Sequence, residues 1–257
     1  MIREEYFRRL TDVAYVDLYL SAVDGARVYW PWRMQPVHEA RSTGPRFRNA
    51  CESYIVDSSF KDDSITNEDA LDTAYDLDAE MCVLADVWHD KDATVDAILD
   101  GLELADDHPF DGHVIAPLQP PHAECYRDLE GQGIDVFAIG GVKDSGDETR
   151  VEAARAVREI AGPDVWIHGL GYGATEGIVD AVQSDPGLLD SIDYSTPVQN
   201  ANVEAVAPGK ERMSVVAARA AATLIEDLRK FSPYAKPPTA EDLRSDGQAG
   251  LPGVADD

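Results

Sequence analysis

Four apolar runs in this chain each end in a polar residue able to meet a purine base or a sugar. Asp57 follows Tyr-Ile-Val, Asp86 follows Val-Leu-Ala, Gln119 follows Ala-Pro-Leu and Asp193 follows Ser-Ile. A carboxylate placed after an apolar run must find partners, or desolvation raises its pKa. Any one such Asp is ordinarily a turn-former or a helix cap. Four at strand ends are another matter, because a closed parallel barrel directs every strand end into one mouth. Asp193, just before the Ser195-Thr196-Pro197 turn, stands where a catalytic carboxylate would be placed.

The elements that must position these residues follow from hydrophobic periodicity. Val165 to Pro197 reads as a buried strand, a Gly-rich turn, a short helix over 175–183 and a second strand, Ser-Ile-Asp-Tyr-Ser. Five further strands are expected around Leu18, Ile55, Val83, Ala116 and Ala138. Helices are expected over 1–12, from about Asn67, and over 93–104, 122–131, 148–161 and 212–230. That makes seven strands. Val203 to Ala207 is the best candidate for an eighth, and residues 27–49 read as irregular. The repeated alternation predicts an α/β fold, a single-domain (β/α)8 TIM-like barrel over residues 1–231 with a flexible acidic Pro/Gly-rich tail over 232–257. An open doubly wound sheet is the alternative, since periodicity alone does not show closure.

The chain has 257 residues, enough for one full core. Its net charge of −27 is the unusual feature. So acidic a surface generally opposes nucleic-acid binding. Because the acidity is spread along the whole chain, adaptation to molar salt is the preferred reading, with a halophilic archaeon or its virus as source. Cys51, Cys82 and Cys125 show no CxxC spacing, which argues for a reducing compartment and against a disulfide framework or a cysteine zinc site. No apolar run reaches the ~20 residues of a membrane span, and the charged N-terminus does not suit a signal peptide. A cytoplasmic protein is expected. Arg33, Arg41, Arg46 and Arg48, with Arg27, Lys61 and Lys143, could form a positive rim for phosphates; the ordinary reading pairs them with the surplus carboxylates. Trp30 and Trp32 could stack on bases or pack in the core.

Several of these segments resemble, in order, the motifs of the tRNA-guanine transglycosylase superfamily. His168-Gly-Leu-Gly through Asp193 to Pro197 is similar to that family's Gly-x-Gly turn, helix and nucleophilic Asp. Val56-Asp-Ser-Ser-Phe60 resembles D-S-G-G-F, with Ser59 departing from the pattern. Val83-Leu-Ala-Asp-Val-Trp88 resembles the segment ending F-D-E. Ile115-Ala-Pro-Leu-Gln-Pro-Pro121 resembles V-Q-G-G, with prolines for both glycines, and Phe137-Ala-Ile-Gly-Gly-Val142 matches A-I-G-G. The resemblance covers Asp57 to Pro197. It implies that Asp193 is the nucleophile on C1′ of a nucleotide and Asp57 the proton shuttle. It implies further that Asp86 and Gln119 bind the guanine edge, that Gly140 and Gly141 supply backbone contacts, and that Ser58 belongs to the same base-binding set. A flipped or single-stranded base is implied, with Tyr172 or Phe60 as the aromatic to sandwich it.

The family's zinc motif, Cys-x-Cys-x2-Cys with a distant His, is not found in the sequence, and His108, His113, His122 and His168 read as solvated or capping residues. No metal or other cofactor is expected. The extra C-terminal RNA-binding domains of the archaeal tRNA enzymes are not evident either. The chain thus looks most like the short viral and bacterial relatives that place 7-deazaguanine bases in DNA. DNA is preferred over tRNA as the macromolecular partner, with a 7-deazaguanine such as 7-cyano-7-deazaguanine as the incoming base and a homodimer as one option for assembly. The rival readings are the same exchange on tRNA, a non-catalytic partner subunit, and an unrelated barrel enzyme. The looser Gly-x-Gly-x-x-Ala form at 169–174 also permits a dinucleotide-loop reading, which its late place in the chain disfavours.

Overall fold

The computed structural model describes residues 2–21, 28–58, 64–205 and 209–235, with only the backbone of residues 2–6 and 210. Eight strands run parallel and close on themselves: β1 (Asp17–Leu20), β2 (Trp32–Pro36), β3 (Ser53–Asp57), β4 (Met81–Val83), β5 (His113–Leu118), β6 (Val136–Ile139), β7 (Trp166–Gly169) and β8 (Ser191–Tyr194). Closure is made by β8 pairing with β1, Asp193 opposite Tyr19. The fold is therefore the single-domain (β/α)8 barrel expected, and the open-sheet alternative is excluded.

Helices alternate with the strands. α1 (Ile2–Val13) precedes β1; α2 (Val37–Arg48), α3 (Asn67–Asp76), α4 (Lys91–Asp107), α5 (His122–Leu129), α6 (Asp147–Ala161) and α7 (Glu176–Ser184) follow β2 to β7 in turn. α8 (Thr196–Glu204) and α9 (Gly209–Lys230) follow β8. Local chemistry starts several of them. Thr66 and Asp69 form a reciprocal capping box at α3, and Asp90 accepts the Ala93 N–H at 3.0 Å to cap α4. β6 is buried along its whole length, as strands covered on both faces must be.

Two of the expected elements are corrected. Val203 and Glu204 end α8, and Val203 is 86 % exposed; no strand forms there among the described residues, and residues 206–207 lie outside them. The missing strand is β2, inside the segment that reads as irregular. Arg33 and Gln35 disguise it. Arg33 is only 1 % exposed, its guanidinium lying 3.6 Å from the centroid of the Phe47 ring, and it donates to the Val28 carbonyl. Gln35 accepts from the Tyr54 hydroxyl at 2.6 Å and donates to Thr43. Gln35 is satisfied at both ends of its amide, and Arg33 donates through Nη1 while its guanidinium stacks on Phe47, so the strand tolerates burial even though Arg33 Nε finds no hydrogen bond among the described residues. α2 is hidden in turn by Pro45. Gly44 lets α2 approach closely, since a Cβ there would lie 2.7 Å from Leu77 Cδ1.

At the far end of the chain, Ser232 is fully buried and its carbonyl accepts from Gln183 at 2.9 Å, so the packed chain continues past the expected start of the tail. Residues 236–257 lie outside the described residues. No described helix is long and apolar enough to cross a membrane.

Candidate functional site

A cavity of about 340 Å³ opens at the carboxyl ends of the strands. Ser21 after β1, Met34 and Pro36 of β2, Asp57 of β3, Asp86 and Trp88 after β4, Gly140 and Gly141 after β6, Gly171 after β7 and Asp193 of β8 all line it. All three carboxylates singled out from the sequence thus share one wall-to-wall space. The helix-borne residues His38, Glu39 and Gln199 and the loop residue Lys143 complete its rim.

Asp193 is 6 % exposed, and its surroundings explain how a buried carboxylate is kept charged. Oδ1 accepts the Gly171 N–H at 2.6 Å and faces His168 Nε2 at 3.4 Å. Burial pushes the carboxyl upward, but the His168 imidazole, the Ser21 hydroxyl and the Gly171 N–H outweigh it and hold the group below the usual carboxylate range. The Gly-rich turn after β7 is what brings the Gly171 N–H there. Gly171 and Gly173 take φ of +66° and +67°, a conformation that L side chains rarely adopt. The turn that could be read as a dinucleotide loop therefore directs an N–H at the protein's own carboxylate. His168 is fully buried, correcting its reading as a solvated or capping residue, whereas His113 is exposed as expected.

Asp86 lies three residues beyond β4, in the turn leading to α4. Burial raises its pKa, partly offset by a short hydrogen bond from Gln119 Nε2 to Oδ2. Gln119 is itself fully buried, and its Oε1 accepts the His89 N–H at 3.0 Å. That second bond ties down the Val87–Asp90 turn, closed by Asp90 N–H to Val87 O at 2.9 Å, which carries Trp88 into the cavity wall. One carboxamide thus orients both a carboxylate and an aromatic ring. The glycines leave room for it. A Cβ on Gly140 would lie 2.9 Å from Gln119 Nε2, and one on Gly141 2.5 Å from Gln119 Oε1. Gly140 spends its N–H on Leu118 O and its carbonyl on His122, so what it contributes to the cavity is space.

Other expected residues fall elsewhere. Ser58 is buried, its hydroxyl donating to Leu84 O at 3.0 Å to tie β3 to β4. Tyr172 is fully buried under Gly169, its hydroxyl donating to Arg150 O at 2.7 Å, so its ring does not face the cavity. Trp30 and Trp32 pack in the core against each other. Phe60, Ser59, Lys61 and Arg27 lie outside the described residues. The described arginines of the expected set form no rim. Arg33 is core; Arg41 pairs with Asp69 at 2.7 Å and Arg48 with Glu80 at 2.5 Å. Arg46 and Arg48 end α2, which runs away from the mouth it starts at, so both sit toward the opposite face of the barrel. Among the described residues lining the cavity, Lys143 is the one lysine or arginine.

Three contributors escape sequence reasoning. Trp88 sits two residues after Asp86, close enough to have been flagged as a companion. His168 could have been found from the period-two match of Trp166-x-His168 with Ser191-x-Asp193 on adjacent strands. Arg150 carries no such signal; it donates to the carbonyls of Val142, Lys143 and Tyr172, clamping together the two loops that bring Lys143 and Gly171 to the cavity.

Among the described residues, no group of three or more His, Cys, Asp or Glu is arranged to hold a metal ion. Compared with known proteins, the chain matches no protein-family model and no curated protein. The fold and site define a (β/α)8 barrel with a carboxylate-lined mouth.

Proposed function

We propose that this chain is a base-exchange transglycosylase that replaces guanine with a 7-deazaguanine through a covalent aspartyl-glycosyl intermediate, with DNA as the polynucleotide. The observation that carries the reading is the convergence of Asp57, Asp86 and Asp193 on one cavity, with Asp193 held by the Gly171 N–H. A volume of about 340 Å³ falls within the ~300–1,000 Å³ of small-molecule sites.

Oδ1 of Asp193 accepts from Gly171 and faces His168, and Oδ2, on a carboxylate that also accepts from the Ser21 hydroxyl, is taken as the oxygen that attacks C1′ of the nucleotide. As the Oδ2–C1′ bond forms, the C1′–N9 bond breaks, and its electron pair leaves with guanine, which takes a proton from Asp57. The same carboxylate then removes the N9 proton of the incoming base. N9 attacks C1′, and Asp193 is released as a carboxylate. Asp86, held by Gln119, accepts from the guanine edge, and the Trp88 ring offers an apolar face to the base. With Arg41 and Arg48 paired to carboxylates, Lys143 and the first turn of α2 form the polar rim nearest a phosphate.

The test is exchange of radiolabelled guanine into duplex DNA, single-stranded DNA and tRNA in molar KCl. Incorporation into DNA supports the proposal. Incorporation into tRNA alone keeps the chemistry and reverses the substrate. A folded protein that incorporates label into none of them overturns it.

A further inference from the structure

We infer that His168 is a positioning residue, held as the neutral imidazole with its proton on Nε2 by a one-way hydrogen-bond relay running from Trp166 through Ser191 to His168 and ending on Asp193. Its consequence for catalysis rests on the glycosyl-transfer reading above; the relay itself does not.

In a strand, residues two apart share a face. Trp166 and His168 of β7 therefore face the same way, as do Ser191 and Asp193 of β8, and the strands pair with His168 opposite Ser191. Barrel interiors are ordinarily filled by branched apolar side chains in layers. Polar groups in such layers are tolerated when each finds a partner. Here the partners are one another. Trp166 Nε1 donates to Ser191 Oγ at 2.8 Å, Ser191 Oγ lies 2.7 Å from His168 Nδ1, and His168 Nε2 lies 3.4 Å from Asp193 Oδ1.

Proton counting gives this chain a direction. An indole N–H can only donate, so Ser191 Oγ accepts at that end. Among the described residues, the acceptor for the Ser191 hydroxyl proton is His168 Nδ1. Nδ1 is then unprotonated, and the single imidazole proton lies on Nε2, toward the carboxylate. Protonating Nδ1 would set two N–H donors against Ser191 Oγ and strand the hydroxyl proton. His168 is fully buried, and Tyr19 of β1 packs edge-on against it at 5.7 Å, its own hydroxyl engaged with Ser53. The imidazole thus supplies Asp193 with an oriented dipole and takes no proton from it.

That arrangement suits a carboxylate that must attack and then leave. The dipole favours the charged form, present before attack and after release, over the neutral ester between them. Proton transfer is left to Asp57. The other groups facing Asp193 are Ser21 and the Gly171 N–H, with Asp57, Asp86, Glu39, His38 and Lys143 around the same cavity.

The experiment is NMR of the full chain in molar KCl, with ¹⁵N-labelled histidine and ¹³C-labelled aspartate. Expected is a His168 ring with Nε2 protonated and Nδ1 bare. His168→Leu should raise the Asp193 carboxyl midpoint by about one pH unit or more, while His168→Gln, which keeps an N–H donor, should restore much of the original value. Ser191→Ala should release the tautomer preference. A proton on Nδ1, or an Asp193 midpoint unmoved in folded His168→Leu, would overturn the inference. None of these readouts needs substrate. An intact relay without base exchange would contradict the proposed function alone.

Discussion

Gln119 Nε2 donates to Asp86 Oδ2, and this contact makes the buried amide a support for a carboxylate that lines the cavity. With Oε1 on the His89 N–H, the side chain is committed to the protein at both ends. Replacing it should therefore act through its dependants. Gln119→Leu leaves the half-buried Asp86 without its donor and loosens the turn bearing Trp88. The expected outcome is a 10- to 100-fold rise in KM for the free base (on the order of 1–3 kcal/mol for an unsatisfied buried group), with a smaller change in kcat. Steady-state kinetics at saturating polynucleotide separate the two. An equal loss in both would place Gln119 in the chemistry instead.

Two aromatic residues offer a contrast. Trp88 lines the cavity and Tyr172 is sealed beneath the Gly-rich turn. Trp88→Ala should weaken binding of guanine by about 1–3 kcal/mol while leaving the melting temperature nearly unchanged. Tyr172→Phe removes the hydrogen bond to Arg150 O and should lower stability by about 1 kcal/mol with base affinity intact. Calorimetric titration and thermal melts of both variants decide it; the reverse pattern would reassign the stacking residue to Tyr172.

At the entry of β1, Asp17 is raised to about 6, by burial first and then by Asp190 and Glu52. A carboxyl raised on folding binds its proton more tightly in the folded state, so stability falls as pH rises from about 4 to about 6 and the full penalty persists above that. Asp17→Asn should stabilise the chain at pH 7 by about 1–2 kcal/mol, less than the ~3 kcal/mol that two pKa units represent because the side chain is partly solvated. The gain should vanish by pH 4. Urea midpoints at both pH values test this, and an equal gain at both would show that charge is not the cause.

Much of the barrel could be read from the chain because seven strands are apolar runs set between periodic helices. β2 could not, since Arg33 and Gln35 give it a loop's composition, and their burial depends on Phe47, Tyr54 and Thr43, residues joined to it only by folding. The same distinction divides the site. Asp57, Asp86 and Asp193 were visible as carboxylates after apolar runs, and the barrel brings them together. The roles of Gln119, Tyr172 and the arginines were not, because each is decided by a partner far away in sequence: Asp86, Arg150, and Asp69 or Glu80. A type and a position identify a candidate; only packing shows where the side chain spends its polar groups.

The net charge of −27 yields a prediction about conditions. Self-repulsion among so many carboxylates weakens the folded state until salt screens it, the Debye length shrinking from about 10 Å at 0.1 M to about 3 Å at 1 M. The urea midpoint should rise steeply between 0.1 M and 2 M KCl. A flat or falling dependence would contradict the reading of this acidity as an adaptation to salt.

The most direct test of the central claim is intact-protein mass spectrometry after mixing the chain with guanine-containing DNA in molar KCl and quenching in acid. An Asp193-linked adduct should appear, vanish in Asp193→Asn, and survive in Gln119→Leu once the polynucleotide saturates. An adduct that persists in Asp193→Asn, or base exchange at full rate in that variant, would contradict the account.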